Sequence, residues 1–147
     1  MSSEIVFRKS DVIPPCKPEE LRKMTKLIEF LNGINPNAST KDVPTEHFIH
    51  AGCYVRTCMV PAGIVCAAVE IIVPTVLVIC GRGTAYCGDK KCEIDGFYVM
   101  RGEAPRQMAF SAEKDTYMTM FYATDKTDPV DCEEEFTDQT DLLLTRR

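Results

Sequence analysis

The sequence has no cluster of basic residues and no apolar run long enough to cross a membrane. Its 147 residues carry a formal net charge of −5, and the 17 lysine and arginine residues are scattered along the chain. A nucleic-acid groove normally needs a basic face. The longest apolar run, Ile71 to Cys80, is broken by Pro74 and is far shorter than the ~20 residues that a membrane helix needs. We therefore expect no nucleic-acid partner and no membrane partner.

Histidine is also scarce, which limits metal and acid–base chemistry. The chain has two histidines, His47 and His50, and Glu46 precedes them. Two histidines three residues apart in a presumed loop, without a third ligand placed by the sequence, rarely form a zinc or acid–base site. Cys66 would be a nucleophile only with a base beside it, and both histidines precede the region of β-strands. We therefore predict no catalytic residues and no metal ligands.

Cysteine is abundant, but its spacing lacks the patterns typical of zinc sites. There are eight cysteines and no C-x-x-C motif. The pairs Cys53/Cys58 and Cys87/Cys92 are wider than the compact spacing that closes on zinc. Cys87 and Cys92 flank a turn-forming GDKK stretch, so they could face each other across two strands and be bridged on oxidation. Met1 to Val12 lacks the apolar segment of a signal peptide, so we expect a reducing compartment and buried thiols that act as small apolar side chains.

The N-terminal third contains one predicted helix. Pro18 suits a first helical position, and apolar residues recur at three- and four-residue spacing up to Asn32 and Gly33, which favour a C-cap. The segment before it, with its Pro-Pro pair, favours an extended arm. We therefore assign residues 1–45 to an N-terminal arm and amphipathic helix, with a turn-rich linker at their end.

From Gly52 onward, short β-rich runs alternate with Gly, Pro or Asp, a pattern typical of a sandwich or barrel. The predicted strands are Cys53 to Val60, Val65 to Val73, Thr75 to Cys80, Thr84 to Cys87, Cys92 to Ile94, Phe97 to Met100, Arg106 to Phe110 and Tyr117 to Thr124. These runs place a β-barrel at residues 46–130. Residues 131–147 are acidic, then apolar, then basic, and are predicted to form a surface tail.

The turns of this region occur in the order found in cupins: a PAG turn ending at Gly63, a glycine at Gly81 and a second motif starting near Gly96. More closely, "HFIHAGCYVRTCMVPAG" and "RQMAFSAEKDTYMTMFYATDKTD" resemble small cupin-like proteins encoded in bacteriophage genomes. The resemblance covers Asp42 to about Glu135. It implies a mostly β fold, a cupin-like antiparallel β-barrel or jelly roll, here preceded by the arm and one α-helix.

The sequence departs from this family at the positions that hold a metal ion. Metal-binding cupins use histidines and a glutamate of the first motif together with a later histidine. Those positions fall here on or next to Val69, Ile71 and Pro74, and the later one falls near Arg106 and Gln107 or on Tyr122. Apolar side chains cannot bind a metal, so the resemblance implies a dry, metal-free barrel without a cofactor and without enzymatic activity.

Three arginines remain as candidates for binding an anion. Arg56, Arg101 and Arg106 could bind an anion inside or beside the barrel. More often, such residues pair with carboxylates on the surface. The available partners in the sequence are Glu93, Asp95, Glu103 and Glu113.

The apolar ends of the chain suggest contacts with other subunits. Large exposed apolar patches are rare on monomers, and the predicted assembly contacts are Ile5, Val6, Phe7, Val12, Ile13, Leu142, Leu143 and Leu144. The resulting hypothesis is a non-enzymatic structural protein in a homo-oligomer or bound to other virion proteins. Its expected place is the bacteriophage virion, as a capsid decoration or head–tail accessory protein, with the host cytoplasm as its location during assembly. Alternatives are a small-ligand-binding cupin or a cupin-type enzyme with a relocated site, and ends that fold back onto the barrel or are disordered.

Overall fold

The computed structural model describes residues 12–146. The predicted contacts Ile5, Val6 and Phe7 lie outside the described residues. The chain forms, in order, β1 (Val12–Ile13), α1 (Pro18–Ile34), β2 (Thr45–His50), β3 (Cys53–Val60), β4 (Val65–Ala67), β5 (Thr75–Cys87), β6 (Lys90–Gly102), β7 (Met108–Ala112), β8 (Thr116–Ala123) and α2 (Pro129–Phe136). Two single 3₁₀ turns, Thr140–Leu142 and Leu144–Arg146, follow α2.

The strands form one sheet, which confirms the mostly β, antiparallel prediction. Its strand order is β1-β6-β5-β8-β3-β2, and β7 pairs with both β4 and β5. Within the described part of the chain, β1 and β6 run parallel and the other strand pairs run antiparallel. β2 lies where the sequence predicted the end of a linker, and it forms the edge of the sheet beside β3. None of the helices in residues 12–146 is long and apolar enough to cross a membrane.

Gly81 and Gly96, which the sequence analysis interpreted as strand ends, lie inside the two long strands β5 and β6 and allow them to bend. β5 and β6 each continue for 13 residues, and Gly81 lies opposite Gly96 in their register. Both glycines have positive φ angles, which lets the paired strands bend without ending. At Gly81, an added Cβ would lie 2.7 Å from the Cα of Thr116. A side chain at this position would therefore collide with β8.

Helix α1 begins at Pro18, as predicted, and extends two residues beyond the predicted Asn32. Glu20 holds its start in place: one carboxylate oxygen accepts the backbone N–H of Lys17 at 2.9 Å, and the other accepts that of Asp89 at 2.7 Å. The second bond ties the helix to the β5–β6 turn. The helix buries Met24 and Ile28.

The prediction of a surface tail is wrong, and the protein has a second helix that the sequence analysis did not include. Asp128 caps α2 by accepting the backbone N–H of Val130 at 2.9 Å. The helix buries Cys132, Glu133 and Phe136. Leu143 follows with 5% of its surface exposed. Cys132, Phe136 and Leu143 belong to the same hydrophobic core as the strands. The segment therefore packs on its own barrel, which removes these apolar side chains from water.

The N-terminal contact is also partly buried within the chain. Val12 is 45% exposed, whereas Ile13 belongs to the core. β1 pairs with β6 through Val12 opposite Arg101 and Ile13 opposite Gly102. Ile13 and Leu143 were expected to contact other subunits because they were expected to be exposed. Both are buried within the chain, so that reason no longer holds for them.

The strands do not place Cys87 opposite Cys92, which the sequence analysis considered as a possible pair. The two-residue turn Gly88–Asp89 places Cys87 opposite Lys90, and Cys92 lies opposite Ala85. Instead, the sulfur of Cys87 lies 3.5 Å from that of Cys16, and both thiols are free. The cysteines also differ in exposure. Cys16 and Cys132 are buried as predicted, whereas Cys80 and Cys92 are exposed.

Candidate functional site

The barrel contains a partly open cavity of about 190 Å³ with a mainly apolar wall. Side chains alternate along a strand, and Arg56 of β3, Met120 of β8 and Leu77 of β5 lie opposite one another in the register. Their side chains therefore share the face of the sheet that lines the cavity. The apolar part of the wall includes Val60, Val69, Ile71, Leu77, Phe110 and Met120. The site is therefore a space between the sheet's inward-facing side chains.

Two of the positions at which the sequence analysis placed the metal ligands of cupins carry apolar side chains in this wall. Val69 and Ile71 are buried and line the cavity, and Pro74 is exposed. The hydroxyl of Tyr122 donates a hydrogen bond to the carbonyl of Cys132 at 3.1 Å. Within residues 12–146, no group of three or more His, Cys, Asp and Glu side chains is arranged to hold a metal ion.

Arg106 is a buried, charged residue in the otherwise mainly apolar wall of the cavity. Only 2% of its surface is exposed, so it does not lie on the surface among exposed carboxylates. Its guanidinium donates to the carbonyl of Glu103 at 3.1 Å and to the hydroxyl of Thr75. Both acceptors are uncharged. No carboxylate of the described residues forms an ion pair with Arg106. Burial lowers the pKa of its guanidinium, and the nearby Cys87, Cys16 and Glu103 oppose that shift.

Arg56 also lines the cavity, but its charge is balanced. Its guanidinium lies 3.1 Å from a carboxylate oxygen of Glu133, whose side chain is 1% exposed. Glu133 also accepts hydrogen bonds from Arg146, at 2.8 Å, and from the hydroxyl of Thr145. Burial raises the pKa of Glu133, but the bonds from Thr145 and Arg146 and the charge of Arg56 outweigh it and lower the pKa below 4.5. Glu133 is therefore held as a carboxylate.

This ion-pair network extends to one of the two histidines. The hydroxyl of Tyr54 lies 3.3 Å from Arg56 and 3.0 Å from Nδ1 of His47. Burial and the charge of Arg56 lower the pKa of His47. Glu46 and His50 alternate with His47 along β2 and are exposed. The structure therefore does not bring Glu46, His47 and His50 together as one site.

Residues 140–146, which we call the C-terminal cover, close part of the cavity wall. Leu142, Leu143 and Leu144 line the cavity. The next two residues, Thr145 and Arg146, bind Glu133 of α2. The sequence analysis identified the three leucines but assigned them to contacts with other subunits, and it did not single out Glu133. A buried glutamate in an acidic stretch has no local signal that separates it from its exposed neighbours.

The remaining sequence candidates, Cys66 and Arg101, add no reactive group to the cavity. Cys66 lines the cavity, and burial, with a smaller contribution from Cys58, raises the pKa of its thiol to about 12. Such a thiol is protonated at neutral pH and is a poor nucleophile. Arg101 lies on the exposed face of β6, where its side chain does not line the cavity.

The comparisons with known proteins show the fold and not the family. No protein-family model and no curated protein sequence matches the chain. The chain is similar in structure to ectoine synthase from P. lautus, with a TM-score of 0.51 and 14% sequence identity over 67% of this chain and 75% of that one. It is also similar to a cupin 2 conserved barrel domain protein from Leptotrichia buccalis, with a TM-score of 0.46 and 12% identity over 62% and 44% of the two chains. A third similar structure is a salicylate dioxygenase mutant from Pseudoaminobacter salicylatoxidans, with a TM-score of 0.46 and 13% identity over 71% and 33%.

The similarity to ectoine synthase supports the cupin-like fold predicted from the sequence. It does not extend to a bacteriophage origin. Because that protein is an enzyme, the expectation of a protein without enzymatic activity gains no support from the comparison. At this level of identity, the function has to be argued from the residues of the cavity.

Proposed function

We propose that the protein binds a small, largely apolar molecule inside its barrel. The observation that carries this proposal is the cavity of about 190 Å³ with its mainly apolar wall. Apolar cavities of ~150 Å³ stay dry and bind molecules the size of benzene. A cavity slightly larger than that accommodates one ring with a small substituent or an alkyl chain of similar volume.

The apolar wall also favours binding over a purely structural barrel. Apolar surface in contact with water is unfavourable by ~25 cal/mol per Å². Natural interiors are otherwise close-packed. A bound apolar ligand would remove the cavity wall from water and supply the contacts that an unfilled cavity lacks.

Two matched variants test this proposal. Cys58 lines the cavity, and Cys80 is exposed on another strand. We expect benzyl alcohol, a neutral probe, to bind the wild-type protein and Cys80→Phe in ligand-detected NMR and to raise the thermal midpoint of both. Cys58→Phe fills part of the cavity, so its binding should be lost. Absence of binding to the wild-type protein, or unchanged binding to folded Cys58→Phe, would overturn the proposal.

A second candidate function is a subunit of an assembly, the role predicted from the sequence. The observation that favours it is a pair of exposed apolar side chains one turn apart on α1: Phe30 is 64% exposed and Ile34 is 66% exposed. Such a pair is typical of a surface that contacts another protein. Light scattering of the wild-type protein and of a Phe30→Ser/Ile34→Ser double variant tests self-association. Mass spectrometry of purified virions tests the virion location, which stays a prediction.

A further inference from the structure

The two arginines that line the cavity differ in how their charges are balanced. Arg56 lies 3.1 Å from the buried carboxylate of Glu133. Arg106 is 2% exposed, and within residues 12–146 its side-chain hydrogen bonds go to a backbone carbonyl and a threonine hydroxyl. Among residues 12–146, Arg106 is therefore a buried cation without an ion-pair partner.

A buried cation of this kind is costly, and a bound anion would offset the cost. Moving a charge out of water is unfavourable unless it is paired and hydrogen-bonded. A guanidinium has five N–H donors in a planar fork that matches a carboxylate. The hydrogen bonds to Glu103 and Thr75 engage the two terminal nitrogens. They fix the orientation of the group, but neither acceptor carries a charge that would form an ion pair with it.

The backbone of β6 also fixes the position of this guanidinium. Gly102 lies beneath it, so closely that an added Cβ would be 2.5 Å from Cζ of Arg106. The glycine thus allows the side chain to lie flat against the strand. Because Thr75 and Gly102 lie opposite each other in the β5–β6 register, Arg106 is held at the end of these two strands, next to Leu77 of the cavity wall.

We propose that the ligand of this cavity is a small apolar carboxylate whose carboxylate group pairs with Arg106. This inference rests on the function proposed above. The apolar wall would hold the hydrocarbon part, and the volume limits that part to about six to eight carbons by comparison with cavities that bind benzene. Benzoate and hexanoate belong to this class. Arg56 is not the anchor, because its guanidinium already forms an ion pair with Glu133.

The test compares three probes of nearly equal size and different charge. Benzoate, benzyl alcohol and benzylammonium are titrated into the wild-type protein by calorimetry. A charge-assisted hydrogen bond predicts that benzoate binds about ten- to hundredfold more tightly than benzyl alcohol, and that benzylammonium binds more weakly than either. Equal binding of benzoate and benzyl alcohol would overturn this inference and leave the proposed function standing. Absence of binding by all three would overturn both.

Variants then assign the preference to Arg106. We expect Arg106→Gln to lose the preference for benzoate and keep its binding of benzyl alcohol, and Arg106→Lys to keep part of the preference. Arg101→Gln is the matched control, because Arg101 lies on the exposed face of the same sheet, and it should behave as the wild type. If folded Arg106→Gln loses both ligands equally, Arg106 shapes the cavity and the proposed pairing is wrong. The comparison of probes on the wild-type protein remains decisive if Arg106→Gln does not fold.

Discussion

Replacing Glu133 by glutamine removes one negative charge from the interior while keeping the size of the side chain. The wild-type carboxylate contacts Arg56 at 3.1 Å and Arg146 at 2.8 Å and is 1% exposed. Both carboxylate oxygens accept hydrogen bonds, one from Arg146 and the other from Arg56 and Thr145. An amide keeps one accepting oxygen, and its NH2 group would face a donor. The variant therefore removes the charge together with part of the hydrogen bonding that attaches the C-terminal cover.

The two arginines differ in how they can respond to the loss. The side chain of Arg146 is 29% exposed and can move into water. That of Arg56 is 14% exposed, and its guanidinium contacts the hydroxyl of Tyr54 and lies over the ring of Phe136. Removing one partner of a buried ion pair costs about 3–5 kcal/mol, because it leaves an unpaired charge inside. Since one arginine can escape, we expect Glu133→Gln to lower the free energy of unfolding by about 3 kcal/mol, near the lower end of this range.

Urea unfolding at pH 7 measures this loss, and Glu134→Gln is the matched control. Glu134 is 66% exposed and lies 4.0 Å from Arg146, so its replacement should cost less than about 1 kcal/mol. At a cost of about 3 kcal/mol, the thermal midpoint should fall by roughly 10 °C. If Glu133→Gln is no less stable than Glu134→Gln, the ion-pair network does not hold the cover in place.

The pH dependence of the same pair of proteins gives an independent check. The pKa of Glu133 is lower in the folded chain than its ordinary value of 4.5. A carboxyl group with a lowered folded-state pKa stabilises the fold fully above its unfolded-state pKa and loses this contribution as the pH falls through the folded-state pKa. The stability difference between the wild type and Glu133→Gln should therefore be constant above about pH 4.5 and shrink in more acidic solution. A difference that grows on acidification would contradict the assignment of charge.

Three further predictions concern the cover, the histidine and the thiols. Leu143→Ala should lower the free energy of unfolding by about 2–5 kcal/mol in urea, because it removes a buried side chain, and a loss below about 1 kcal/mol would contradict its burial. The pKa of His47 should lie below 6.5, because burial and the charge of Arg56 disfavour its cationic form. An NMR titration measures this pKa, with the two histidine signals assigned by the variant His50→Gln, and a pKa at or above 6.5 would contradict the structure. Iodoacetamide should modify exposed Cys80 well before Cys66, whose thiol pKa is raised to about 12 by burial, and equal rates would contradict this.

The sequence predicted the elements whose signals are local. Pro18 and the spacing of apolar residues after it predicted the first residue of α1, and the limits of β3 match those predicted. Glycine was a less reliable signal, because Gly81 and Gly96 bend paired strands at one level of the sheet instead of ending them. Whether a glycine ends or bends a strand depends on what lies opposite it, which is a property of the register and not of the local sequence.

The C-terminal segment could not be predicted because its burial depends on long-range contacts. Leu142, Leu143 and Leu144 form an apolar run of the kind that can cover either a neighbouring subunit or the protein's own barrel. Glu133 and its bonds to Thr145 and Arg146 select the second outcome. Ion pairs between residues more than ten positions apart leave no periodic pattern in the sequence, so the same acidic and apolar residues were interpreted as a surface tail.

The two cavity arginines show how such a long-range contact decides the chemistry of a site. The sequence presented Arg56 and Arg106 as equivalent candidates for binding an anion. In the fold, α2 packs on the barrel and places Glu133 beside Arg56. Because Glu133 also binds Arg146, Arg56 belongs to the ion-pair network that attaches the C-terminal cover. No carboxylate of the described residues does the same for Arg106. The packing of α2 therefore decides which of the two arginines lacks an ion-pair partner among the described residues. The choice of Arg106 over Arg56 as the anchor depends on the Arg56–Glu133 ion pair.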